Sequence, residues 1–168
     1  MAKEQGIKVI WKSFELRPPG VEVPPKSPEY MARAWKNVDV LAKEYGLTMT
    51  RNTESKHSRN AHEGAKFAEH HKKGDEYIKA VFEAQWHENK DVDDIEVLTQ
   101  IAGNIGLDGN AFRTAIEQHT YVEGVLQDES DANRMGIHSI PCFIVGAQGV
   151  MGVQSRENLL QMLTGHTF

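Results

Sequence analysis

Apolar positions recur along this chain with two different periods, and the change of period divides it. Near the start, Ile7, Val9 and Trp11 alternate with polar residues before the phase shifts to Ile10, Phe14 and Leu16. That pattern predicts a mostly buried strand over residues 7–16. Arg17-Pro18-Pro19-Gly20 ends it, because consecutive prolines remove donors from any ladder. Five prolines fall between residues 18 and 28, and the stretch reads as a crossing loop. Ser27 offers a cap and Pro28 a first helical position for a helix through Met31, Ala34, Trp35, Val38 and Leu41 to Tyr45, where Gly46 stops it.

After a polar, irregular stretch from Leu47 to Asn60, the period stays helical for most of the chain. A region starting near Ala61 carries Phe67, Tyr77, Val81, Phe82 and Trp86 as an apolar stripe, with Gly74 breaking it in two. Asp93-Asp94 opens a helix with Ile95, Leu98, Ile101 and Ala102 on one face, and Gly106 closes it. Asp108 caps the next, with Phe112, Ile116 and His119, and another runs from Val122 to Met135 and ends at Gly136. The character then changes. Ile140 to Val145 is a β-rich run, Ala147-Gln148-Gly149 a turn, and Val150 to Val153 a second strand of a hairpin. Ser155 caps a last helix with Leu159, Leu160 and Leu163 facing inward. No repeat or low-complexity tract interrupts this order of strand, helical block, strand, strand, helix.

Composition narrows the function more than the fold. The chain of 168 residues, 39% hydrophobic and 26% charged, is ordinary for a globular protein. At this length a folded chain buries roughly 70% of the surface its unfolded form exposes, so no disulfide is required. A net charge of −5 provides no footprint for nucleic acid or an anionic membrane. No run approaches the length of a membrane span, and the first residues lack the apolar core of a secretory signal. The one cysteine, Cys142, excludes an internal disulfide, so a cytoplasmic location is expected.

Little in the residue types alone declares chemistry. His57 and His62 are five apart and His70-His71 are adjacent, but none forms the His-Glu-x-x-His arrangement that puts two imidazoles on one helix face, so no metal site is expected. Trp35, Phe67, Phe82 and Trp86 read as core of the helical block, with a cap over an apolar substrate groove as the alternative. Glu15 and Arg17 read as surface pairs of little energetic value. Asn52 reads as a turn residue, and Cys142 as a small buried hydrophobe.

Several words of the sequence, taken together, point further. They are Trp11-Lys12-Ser13-Phe14-Glu15-Leu16-Arg17-Pro18, the segment His57 to Ala68, and Val81-Phe82-Glu83-Ala84-Gln85-Trp86 leading into Asp91-Val92-Asp93-Asp94. Gly106-Leu107-Asp108 follows, then Gly136-Ile137-His138-Ser139-Ile140-Pro141-Cys142-Phe143-Ile144-Val145 and Gly152-Val153-Gln154. In this order they resemble the DsbA-like thiol–disulfide oxidoreductases, in the branch of FrnE and the 2-hydroxychromene-2-carboxylate isomerases. The resemblance implies an α/β protein with a thioredoxin-like sheet and a large all-α insertion domain. It assigns residues 1–27 and 136–168 to a partial thioredoxin-like domain and 28–135 to the helical insertion.

The same resemblance makes Ile140-Pro141 a cis-proline loop that binds substrate through the backbone of Ile140, with His138 and Cys142 as groove or auxiliary residues and Asn52 as the asparagine before the insertion helices. It also exposes a departure. Relatives begin with a strand and a Cys-Pro-x-Cys-type motif at the start of the first helix, whereas Met1 to Gly6 resembles only the last turn of that helix. The first strand, which would lie between residues 7–16 and the strand after Pro141, and both catalytic cysteines are absent from the sequence. A start further upstream, a strand donated by a partner or second copy, or a rearranged sheet would each account for this, and truncation is the expectation. No catalytic residue is identifiable. The functions implied are a thiol–disulfide oxidoreductase that is redox-inactive in this form, a glutathione-dependent transferase or isomerase, or a non-catalytic module that binds a peptide or partner at the cis-proline groove. No bound cofactor is implied, glutathione entering as substrate or co-substrate. The implied partners are a thiol, disulfide or small-molecule substrate and a homo-oligomer or strand-donating partner.

Overall fold

The structure, a computed structural model, describes residues 6–22, 24–54 and 57–165. Among them are seven helices, α1 (Pro28–Glu44), α2 (Arg59–His70), α3 (Gly74–Trp86), α4 (Ile95–Asn104), α5 (Gly109–Glu117), α6 (Val122–Arg134) and α7 (Arg156–Thr164). One hairpin, β1 (Cys142–Val145) and β2 (Gln148–Met151), completes the order. The helix starts follow the capping residues in the sequence. Ser27 Oγ accepts from Tyr30 N at 3.2 Å, Asp94 Oδ1 from Glu96 N at 2.7 Å, and Ser155 Oγ from Asn158 N at 3.1 Å. Asp108 Oδ1 accepts from both Asn110 N and Ala111 N, at 2.9 and 3.0 Å. Each such cap satisfies donors that the first turn leaves over and contributes about 1 kcal/mol.

The chain divides into two compact units. The larger, residues 15–125, holds α1 to α5 and the start of α6, and the hydrophobic core lies in it. Phe67 of α2, Tyr77 and Val81 of α3, Leu98 of α4, and Phe112 and Ile116 of α5 are all buried there. Phe67 meets Phe112 edge-on with ring centroids 5.3 Å apart, and Tyr77 lies 5.6 Å from Phe112. These rings come together because α2 carries Gly64 at the crossing. A Cβ there would stand 2.1 Å from the Tyr77 hydroxyl oxygen and 2.8 Å from the Phe112 ring.

Two carboxylates are buried, the first of them against the sequence expectation. Glu15, read as a surface residue paired with Arg17, is buried and bonded instead to Arg59 at the start of α2, with Nε at 2.8 Å and Nη2 also in contact. Its apolar neighbour Leu16 is exposed while Glu15 itself is buried, and a carboxylate buried there requires a cation. Glu63, also fully buried, accepts from His119 Nδ1 at 2.9 Å. His119 is not on the face of α5 but two residues past its end, at φ 51°. There His119 N and Thr120 N close the helix on Ile116 O and Ala115 O, a position that glycine usually takes.

The aromatic stripe of the helical block is only partly core. Phe67 is buried, but Phe82 is half exposed. Trp35 of α1 and Trp86 of α3 are half-buried and meet edge-on at 6.5 Å, with Arg51 over Trp35. Phe82 neighbours Val81 in α3, so a helical turn that buries one swings the other toward solvent. Asn52 pins the loop before α2. Its Nδ2 donates to Gln85 O and Lys90 O, each at 3.0 Å, while Thr50 N and Oγ1 donate to Trp86 O.

The smaller unit comprises residues 6–14 and 126–165 of those described. Its hairpin is antiparallel, Cys142 opposite Met151 and Val145 opposite Gln148. The turn is Gly146-Ala147, one residue earlier than the sequence suggested, and β2 runs Gln148–Met151 rather than Val150–Val153. Gly146 at φ 60° supplies the first position of a two-residue loop whose twist matches the strands. Residues 7–16, expected as a strand, join no ladder among the described residues, for no described strand lies beside them. In α7 the most buried side chain is Met162, while the three leucines are half-buried.

Two tests follow from the core. Gly64→Ala should destabilise the protein by about 1–3 kcal/mol, the usual effect of overpacking, read as a lower midpoint in urea unfolding with unchanged m-value. Burial pushes the Tyr77 phenol far above its ordinary value. A folded-state value raised in this way contributes stability that is complete below the unfolded value of about 10 and is lost as pH rises beyond it. Alkaline titration should therefore show Tyr77 ionising only as the helical circular dichroism collapses.

Candidate functional site

The loop between α6 and β1 is built by local rules before any tertiary contact enters. Helix α6 ends at Gly136, φ 72°, with Gly136 N donating to Asn133 O at 3.0 Å and Ile137 N to Ala132 O at 2.9 Å. This double closure satisfies the last carbonyls and turns the chain away from the helix axis. His138 follows, exposed, its Nδ1 3.0 Å from Gly136 O. The Ile140–Pro141 peptide is cis, and β1 begins at the next residue.

The far side of the loop is held by the residues after β2. Gly152 N donates to Pro141 O at 2.7 Å. Gln154 Nε2 donates to Met151 O and Gly152 O, each at 3.3 Å, and its Oε1 accepts from Asn158 Nδ2 of α7 at 3.2 Å. Pro141 has no N–H, and its carbonyl is committed to Gly152. Ile140 is exposed, and Cys142, one residue beyond the proline, is half-buried on β1. The structure thus brings Ile140, Pro141 and Cys142 into one short segment, with His138 two residues before it. Asn52 and His57 belong to the helical unit.

One anchor of this unit escaped the sequence reading. Asp128 of α6 is buried and receives Ser13 N at 2.9 Å and Lys12 Nζ at 2.8 Å. A signal was available: Asp128 lies three residues after buried Val125, on the inward side of α6, where a charge requires partners. No group of three or more His, Cys, Asp or Glu side chains suited to a metal occurs among the described residues. No described helix is long and apolar enough to cross a membrane.

A loop entering a hairpin that is followed by a closing helix, in a chain whose helical block lies between two parts of one unit, is the arrangement of a thioredoxin-like protein with a helical insertion. The chain belongs to the DSBA-like thioredoxin domain family, whose pattern it matches over residues 1–164. It is 31% identical over 160 residues to the uncharacterized protein YwbO of Bacillus subtilis, covering 92% of this chain and 80% of that one. The crystal structure of a probable DsbA oxidoreductase from Streptomyces coelicolor superposes with a TM-score of 0.84 at 25% identity, over 98% of this chain and 77% of the other. A 2-hydroxychromene-2-carboxylate isomerase shares the fold, with a TM-score of 0.76 at 19% identity, over 98% of this chain and 81% of that chain.

Asp128→Ala should cost roughly 1–3 kcal/mol, since it strands the buried Ser13 amide. The measurement is urea unfolding combined with amide exchange, and the expected signature is faster exchange at Ser13.

Proposed function

We propose that this chain is a thiol- or disulfide-binding protein of the DsbA/FrnE type, and that residues 1–168 perform no dithiol–disulfide exchange by themselves. The observation carrying the reading is the loop directly before β1, where Pro141 lacks an N–H and its carbonyl is taken by Gly152 N while Ile140 stands exposed. An extended substrate can pair there as an added strand. Family membership supports the same reading.

The electron count limits the reaction. A thiolate attacking a disulfide forms one mixed disulfide and releases one thiolate; a second protein thiol must then attack to expel the substrate and close a new disulfide. Cys142 is the sole cysteine of the sequence and supplies only the first step. The site residues proposed are Ile140 and Pro141 for substrate binding, with His138 and Cys142 bordering the groove. No catalytic residue is assigned, and no resident cofactor is invoked.

A second reading is a glutathione-dependent transferase or isomerase. It is favoured by the fold shared with the isomerase and by chemistry that needs no second cysteine. Under either reading the protein acts in the cytoplasm, on thiols or small molecules rather than nucleic acid or membrane. A third, a binding module that keeps the groove without catalysis, would take a peptide as its ligand.

A dithiol peptide offered with an oxidant should show no turnover above the uncatalysed rate, and measurable turnover would sink the inactive reading. Amide shifts at Ile140 and Cys142 on adding glutathione would favour the second reading. Shifts with an extended disulfide peptide alone would favour the first, and shifts with a thiol-free peptide of the same length the third.

A further inference from the structure

The hairpin ends on a pair that only half closes. One step past Cys142 opposite Met151, the register sets Pro141 opposite Gly152. Gly152 N donates to Pro141 O at 2.7 Å. In an antiparallel pair joined this way the opposite residue donates in return, so that two bonds close the pair. Pro141 has no N–H to give, and the ladder leaves Gly152 O without that donor. Gly152 bends the chain here, at φ 88°. Gln154 Nε2 then lies 3.3 Å from Gly152 O and 3.3 Å from Met151 O. The Gln154 side chain is half-buried, and its Oε1 accepts from Asn158 Nδ2 of α7 at 3.2 Å.

We propose that Gln154 supplies from its side chain the hydrogen bond that Pro141 cannot give, and is thereby the positioning residue of the Ile140–Pro141 segment. A carboxamide suits the task because it donates at one end and accepts at the other. Its donor end meets the two carbonyls at the corner, and its acceptor end is tied to α7 by Asn158. The tie holds a side chain that would otherwise lose rotamer freedom to reach the corner. Without the donor, a carbonyl in a partly buried corner goes unmatched. The corner then turns toward water and loosens its hold on Pro141 O. That Gln154 holds the loop follows from these bonds alone; that the held loop receives a ligand rests on the function proposed above.

Amide hydrogen exchange on the full chain separates the donor from the tie. Gln154→Glu keeps the shape and the acceptor for Asn158 but loses the donor. Its Gly152 N–H should exchange roughly five- to tenfold faster than in the wild type, the loss of one hydrogen bond. The amides within β1 and β2 should keep their wild-type rates. Asn158→Ala retains the donor and should leave Gly152 close to wild type. An unchanged Gly152 rate in Gln154→Glu, a rise shared evenly by the whole hairpin, or an equal rise in Asn158→Ala would each overturn the assignment. Should Gln154→Glu fail to fold, Gln154→Met takes its place with the same expected rates. An uncharged extended disulfide peptide that binds the wild type should bind Gln154→Glu about tenfold more weakly, and equal affinity would overturn the positioning role. A wild-type chain that binds neither this peptide nor glutathione sinks the functional reading instead, and the Gly152 rates still decide whether Gln154 holds the loop.

Discussion

The hydroxyl end of Tyr77 occupies the space that a side chain at residue 64 would need, and the packing of the helical unit follows from that approach. Because α2 has no side chain at Gly64, α3 brings a full tyrosine ring onto its backbone, and Phe112 of α5 fills the remaining corner. Phe67, three residues along α2, then meets Phe112 edge-on and Tyr121 at 5.8 Å. Dense packing of this kind transmits any added volume to its neighbours. It also leaves polar atoms inside: the Tyr77 hydroxyl and one Glu63 oxygen are buried without a hydrogen-bond partner. The unit retains them because the aromatic and aliphatic burial around them is large relative to the few kcal/mol such groups cost.

The smaller unit is organised on other terms. Where the helical unit has a ring core, this one has polar clasps: Asp128 on Ser13 and Lys12, Gly152 on Pro141, and Gln154 on the corner after β2. These are directional and local, and they fix the backbone around Ile140 and Pro141 without much apolar area. Such bonds hold carbonyls and amides in place while leaving side chains exposed.

Family membership and fold agree with this division. The likeness to the Streptomyces structure extends over nearly the whole chain, helical unit included. The sequence holds one cysteine, and one cysteine cannot both form and resolve a mixed disulfide.

Much of the fold was legible in the residues because local rules carry it. Ser27, Asp94, Asp108 and Ser155 cap the helices they announce, and Gly136 closes α6 as its position suggested. The Ile140-Pro141 word stood out through the ordered family resemblance, and its cis peptide is present. Other features had no local signature. Residues 7–16 have the alternation of a strand, but a strand exists only where a neighbour accepts its hydrogen bonds, and alternation does not specify a neighbour. Glu15 looked like a surface residue because its partner Arg59 lies 44 positions away. Phe82 and Phe67 share one apolar stripe on paper, yet the crossing of α2 and α3 buries only the second. By itself the sequence determined where helices begin and end, the hairpin and the family, since these depend on residues within a turn or two of one another. Only the tertiary structure decided which charges are buried and paired and which strand goes without a ladder, since those depend on groups that meet only after the chain has folded.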